Sequence, residues 1–141
     1  MNSPNIPSQS ETAVKVVVVE DESSMLDMIA TALRGRNYEV TTFTEPAKAL
    51  AWLTSIHWDV DLIITDIMMP GTSGLDLAKT IRERAGPIAI LLVSARLSDE
   101  ALWGEGQQEL PFLAKPFGLP ELFEAAEGAI ARCPRQRRDP S

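Results

Sequence analysis

Two patterns of apolar residues alternate along this chain. One is the near-continuous run: Val14 to Val19, Leu62 to Ile64 and Ile88 to Val93 are almost unbroken aliphatic sequence. A strand covered on both faces needs no polar alternation, so short runs of this kind suit the interior of a parallel sheet. Tyr38 to Phe43 and Phe112 to Ala114 are weaker strand candidates. The other pattern has helical spacing. Met25, Leu26, Ile29 and Leu33 fall on one helix face, with Ser23 as the expected N-cap and Gly35 as the expected C-terminal glycine. Ala47 to Leu53, Leu75 to Ile81 and Leu119 to Ile130 repeat it.

Strand and helix alternating at this pitch predict five β-α units. They wind into an α/β, doubly wound five-stranded parallel sheet with helices on both faces, because parallel strands need right-handed crossovers. Ligands of such sheets bind beyond the carboxyl ends of the strands. The fourth helical segment, Ser98 to Leu110, is the irregular one: it holds Gly104, Gly106, Gln107 and Gln108 and runs into Pro111. Each interior glycine costs about 0.5–1 kcal/mol relative to alanine, so a short, mobile or partly unwound helix is expected there.

Composition narrows the picture. The 141 residues are 45% hydrophobic and 23% charged, the balance of an ordinary globular domain. They leave no room for a second one. Residues 1–12 read as a disordered leader, 13–131 as the folded domain and 132–141 as a basic disordered tail carrying Arg132, Arg135, Arg137 and Arg138. A formal net charge of −7 argues against nucleic acid or anionic membrane as partners. Cys133 is the single cysteine, and the polar start lacks an apolar signal region. No run approaches the ~18 apolar residues of a membrane span, so no membrane insertion is expected and the cytoplasm is the default location.

Candidate chemistry gathers at the predicted strand ends. Glu20 and Asp21 follow the first strand, Asp66 the third, Ser94 the fourth and Lys115 the fifth. Alone, each reads as a solvated or capping residue; the joint arrangement carries the weight. Three carboxylates brought together repel unless a cation or protons intervene. Mg²⁺ is suited to that role, being hard, octahedral and oxygen-seeking, whereas no EF-hand spacing supports calcium. The turn-rich loop after Asp66 leaves its carboxylate accessible as a nucleophile toward phosphorus. Lys115 and Ser94 are placed to neutralise and hydrogen-bond the transferred oxygens. His57, the single histidine, together with Met25, Met28 and Met69, reads as loop or packing sequence. Trp103 reads as core or partner contact.

With these residues in place, the chain resembles the receiver domain of two-component response regulators, the CheY-like family, in its stand-alone single-domain form. The resemblance rests on V-V-V-V-E-D-E at Val16 to Glu22, D-L-I-I-T-D-I-M-M-P-G-T-S-G at Asp61 to Gly74, Val93 to Ala95, and A-K-P-F at Ala114 to Phe117. It implies a flavodoxin-like sheet of order 2-1-3-4-5 and Asp66 as phosphoacceptor. It also implies Mg²⁺ held by Glu20, Asp21, Asp66 and the main-chain carbonyl of Met68. Asp66, Ser94 and Lys115 become the catalytic set, and Lys115–Pro116 a cis peptide. Ser94 and Phe112 become the switch pair; phenylalanine has no hydroxyl, so its inward position would rest on packing and could precede phosphorylation. Met68 and Arg96 flank the expected path of the hydrolytic water, which predicts a persistent phosphoryl group.

The resemblance further implies a histidine kinase or histidine phosphotransfer protein as donor, a downstream protein target, and a face of helix 4, strand 5 and helix 5 available for docking or homodimerisation. Catalysis is confined to the chain's own phosphotransfer and autodephosphorylation. A phosphate sink or relay intermediate shares this chemistry. A pseudo-receiver is opposed by the intact residue set. An aspartate-dependent phosphatase would need an acid two residues after its nucleophile, where Met68 stands.

Overall fold

The computed structural model describes residues 13–69, 73–94 and 111–133. Five strands, β1 (Lys15–Val19), β2 (Glu39–Phe43), β3 (Leu62–Asp66), β4 (Ala89–Ser94) and β5 (Phe112–Ala114), form one sheet in the order β2-β1-β3-β4-β5. Every neighbouring pair is parallel, as the continuous runs predict. Among the described residues the helices are α1 (Ser23–Arg34), α2 (Pro46–Ser55), α3 (Gly74–Ala85) and α4 (Leu119–Arg132). The helical expectation for 98–110, together with Trp103 and Arg96, lies outside the described residues.

Successive residues of a strand point to opposite faces, and here both faces are dry. Val16, Val18, Leu62, Ile64, Leu91 and Val93 pack under α1 and α4, meeting Leu26, Ile29, Leu33, Leu122 and Ala126. Val17, Val19, Ile63, Ile90 and Leu92 face the other way, onto Ala49 and Leu53 of α2 and Leu77, Ala78 and Ile81 of α3. That two-sided burial explains the unbroken valine and leucine runs. At the sheet's lower end the Lys15 N–H donates to Asp61 Oδ2 at 2.8 Å, registering β1 against the start of β3. On the surface Arg36 lies 4.0 Å above the centre of the Phe123 ring, tying the α1–β2 turn to α4.

Of the two helix-end expectations for α1, one is corrected and one holds. Ser23 does not cap α1; it is the first helical residue, and extended Glu22 is the N-cap with no side-chain capping bond. The Glu22 N–H is held by Glu20 Oε2 at 3.1 Å, which fixes the residue that precedes the helix. Gly35 ends α1 as its C-cap, as expected; its φ of −64° keeps it right-handed, and Asn37 at φ 69° makes the left-handed turn. Asparagine tolerates that region because its short polar side chain bonds locally. The α2–β3 turn is stranger, with His57 and Trp58 at φ 57° and 58°. Trp58 packs against the α2–α3 side of the core, which holds it there.

Candidate functional site

The sheet delivers its charged residues to one edge. β1 continues one residue beyond its last valine, where the Glu20 N–H donates to Phe43 O of β2 at 3.0 Å. That bond draws Glu20 inward to 2% exposure, while Asp21 turns out to solvent. Asp66 ends β3 and is buried; the next N–H, from Ile67, donates to Val93 O of β4 at 2.9 Å. Ser94 ends β4, fully buried, and its carbonyl accepts the Lys115 N–H at 2.8 Å. The peptide bond from Lys115 to Pro116 is cis.

Glu20, Asp21 and Asp66 each offer a carboxylate oxygen, and the three oxygens lie within 4.8 Å of one another. Lys115 Nζ stands 3.2 Å from Glu20 Oε1 and 3.1 Å from Asp66 Oδ2, bridging two of them. Burial, with the Asp66 charge adding to it, pushes Glu20 up to about 7, even though the Glu22 N–H and Lys115 pull the other way. Burial works against the Lys115 ammonium too, but Asp66 and Glu20 outweigh it and hold its pKa above the usual lysine range. A buried carboxylate pair with one shared ammonium is under-neutralised. This donor set, all hard oxygen and short of positive charge, fits a divalent cation such as Mg²⁺.

Sequence reading missed the main-chain groups that aim the carboxylates. The Met68 N–H donates to Asp66 Oδ1 at 3.1 Å, and the Glu22 N–H to Glu20 Oε2 at 3.1 Å. Every residue type but proline presents a peptide N–H, so neither leaves a mark in composition. The Met68 side chain is half exposed at the rim. Phe112 is half-buried and packs against the α2–α3 side of the core.

A family model described as the response regulator receiver domain matches residues 16–127. A probable transcriptional regulatory protein of Picosynechococcus is 33% identical over 137 residues, covering 93% of this chain and 52% of that protein. The sensory transduction protein RegX3 of Mycobacterium tuberculosis is 31% identical, with 83% of this chain and 51% of that protein covered. The chain thus spans about half the length of these curated relatives. Among solved structures, the chemotaxis protein CheY4 of Vibrio cholerae superposes with a TM-score of 0.75 at 28% identity, over 83% of this chain and 98% of that one.

Proposed function

Because the chain belongs to the response regulator receiver domain family, we propose that it accepts a phosphoryl group from a phosphohistidine onto Asp66 and passes the signal on by protein–protein contact. Receiver domains are signalling modules that work between histidine kinases and downstream effectors. The observation that carries the reading is the meeting of three carboxylates within 4.8 Å, two of them bridged by one ammonium. Such a concentration of negative charge at strand ends is what a site handling a divalent cation and a phosphoryl group requires.

In this reading a carboxylate oxygen of Asp66 attacks phosphorus as the phosphorus–nitrogen bond to the donor imidazole breaks, and the departing nitrogen keeps the electron pair. Mg²⁺, held by Glu20, Asp21, Asp66 and the Met68 carbonyl, would neutralise charge on the transferred oxygens. Lys115 already contacts Asp66 Oδ2 and follows the charge to the new phosphoryl oxygens. The Ser94 hydroxyl donates to another, and Phe112 follows it against the core. Met68, half exposed at the rim, slows the approach of water, and Arg96, two residues beyond Ser94 in the sequence, acts with it to prolong the acyl phosphate.

The test is chemical labelling. Acetyl phosphate with Mg²⁺ should label the wild-type chain once, on Asp66, with labelling lost in Asp66→Asn and on removal of metal by EDTA. A wild-type chain that stays unlabelled, or an Asp66→Asn variant that labels equally, overturns the assignment.

A further inference from the structure

Resting on that reading of Asp66, we infer that Gly74 and Thr65 form a clamp on the main chain of the phosphoacceptor and act as positioning residues for phosphoryl capture. Gly74 opens α3 and is buried. Its N–H donates to Ile67 O at 2.7 Å, which draws the helix end against the peptide that follows Asp66. A Cβ at this position would collide with the Asp66 carbonyl oxygen and come within 2.8 Å of both Asp66 C and Ile67 Cα. Those are main-chain atoms, so no rotamer change relieves the clash.

The same carbonyl oxygen is held from another side. Thr65, fully buried beneath the site, donates its hydroxyl to Asp66 O at 3.1 Å. The Ile67 N–H is fixed on Val93 O. Ser73 caps the same helix by accepting the Leu75 and Asp76 N–H groups at 3.0 and 3.1 Å, bonds local to the helix that do not reach Asp66. The peptide after Asp66 is held by three contacts, the close approach of Gly74, the Thr65 hydroxyl and Val93 O, and the carboxylate of Asp66 is positioned with it. The contacts at stake are Met68 N–H to Oδ1 and Lys115 Nζ to Oδ2, each 3.1 Å. Moving the peptide by about 1 Å takes both beyond hydrogen-bonding range, and misplacement of that size can cost ~100-fold in rate.

A glycine needed only for helix packing would affect stability alone, and three variants separate the two roles. Labelling by acetyl phosphate with Mg²⁺ is measured per folded molecule for Gly74→Ala, Thr65→Val and Ser73→Ala, the last weakening α3 without touching Asp66. We expect capture slowed about tenfold or more in Gly74→Ala and about two- to fivefold in Thr65→Val, with Ser73→Ala within about twofold of wild type. In metal-free protein the Met68 amide proton resonance should move upfield in Gly74→Ala as its bond to Asp66 lengthens. Wild-type labelling in Gly74→Ala, an unmoved Met68 resonance, or equal slowing in Ser73→Ala overturns the clamp. If Gly74→Ala does not fold, near-isosteric Thr65→Val decides, and a wild-type rate there overturns it. Failure of wild type itself to label would instead remove the phosphoacceptor assignment, leaving the Met68 resonance to judge the clamp.

Discussion

Glu20 is the residue where position and charge disagree most. Its backbone belongs to the sheet, its side chain is buried, and its carboxyl titrates near 7 instead of the usual 4.5. A folded-state pKa above the unfolded one means that the folded protein holds the proton more tightly. The resulting stability is complete below about pH 4.5 and is lost as pH rises through about 7. In magnesium-free buffer, urea denaturation at pH 5 and pH 8 should therefore show wild type losing stability relative to Glu20→Gln, by on the order of 1–3 kcal/mol. Added Mg²⁺ should restore wild type at pH 8 and do little at pH 5, where the proton competes. Equal pH dependence in the two proteins would refute the assignment. Glu20, Asp21, Asp66 and Lys115 were legible in the sequence because charged residues directly after apolar runs stand out. The peptide N–H groups of Glu22 and Met68 were not, since their role depends on chain path alone.

Among the elements, the strands were easiest to read: a strand with two apolar faces writes itself as a continuous run, and the runs at Val16–Val19 and Ala89–Val93 did so. Helix ends were harder. At the start of α1 Glu22, held by Glu20, takes the cap instead of Ser23, and at its end Gly35 is the cap as expected but Asn37 makes the left-handed turn. Such contests are decided by what the neighbouring chain already fixes. α4 carries a different irregularity, Gly128, exposed in mid-helix with nothing within 4 Å of where a Cβ would stand. Neither sterics nor a left-handed turn requires glycine there. Gly128→Ala should raise stability by about 0.5–1 kcal/mol in chemical denaturation, through backbone entropy alone. A loss of stability would mean that the position is constrained by something other than helix propensity.

For the whole molecule, the sheet is a partition with a core on each side, and every central strand contributes to both. Neither layer can open while the other stays intact. Leu33→Ala, on the α1–α4 side, should cost about 2–5 kcal/mol. Tryptophan fluorescence, to which Trp52 and Trp58 contribute from the opposite side, should report the same shifted midpoint as far-ultraviolet circular dichroism. Separate transitions would show that the layers unfold independently. The doubly wound class followed from the alternation of runs and amphipathic segments, but the order β2-β1-β3-β4-β5 did not: periodicity is silent on which strands are neighbours, and the order came from resemblance. Lys115 makes the cost of a wrong order plain, because it meets Glu20 and Asp66 across 95 and 49 residues of chain. A half-synthesised polypeptide lacks the complete charge cluster however well its early strands have formed. If the cluster is the receiving site proposed above, competence to receive a message is a certificate of finished folding, issued only when the last strand has docked.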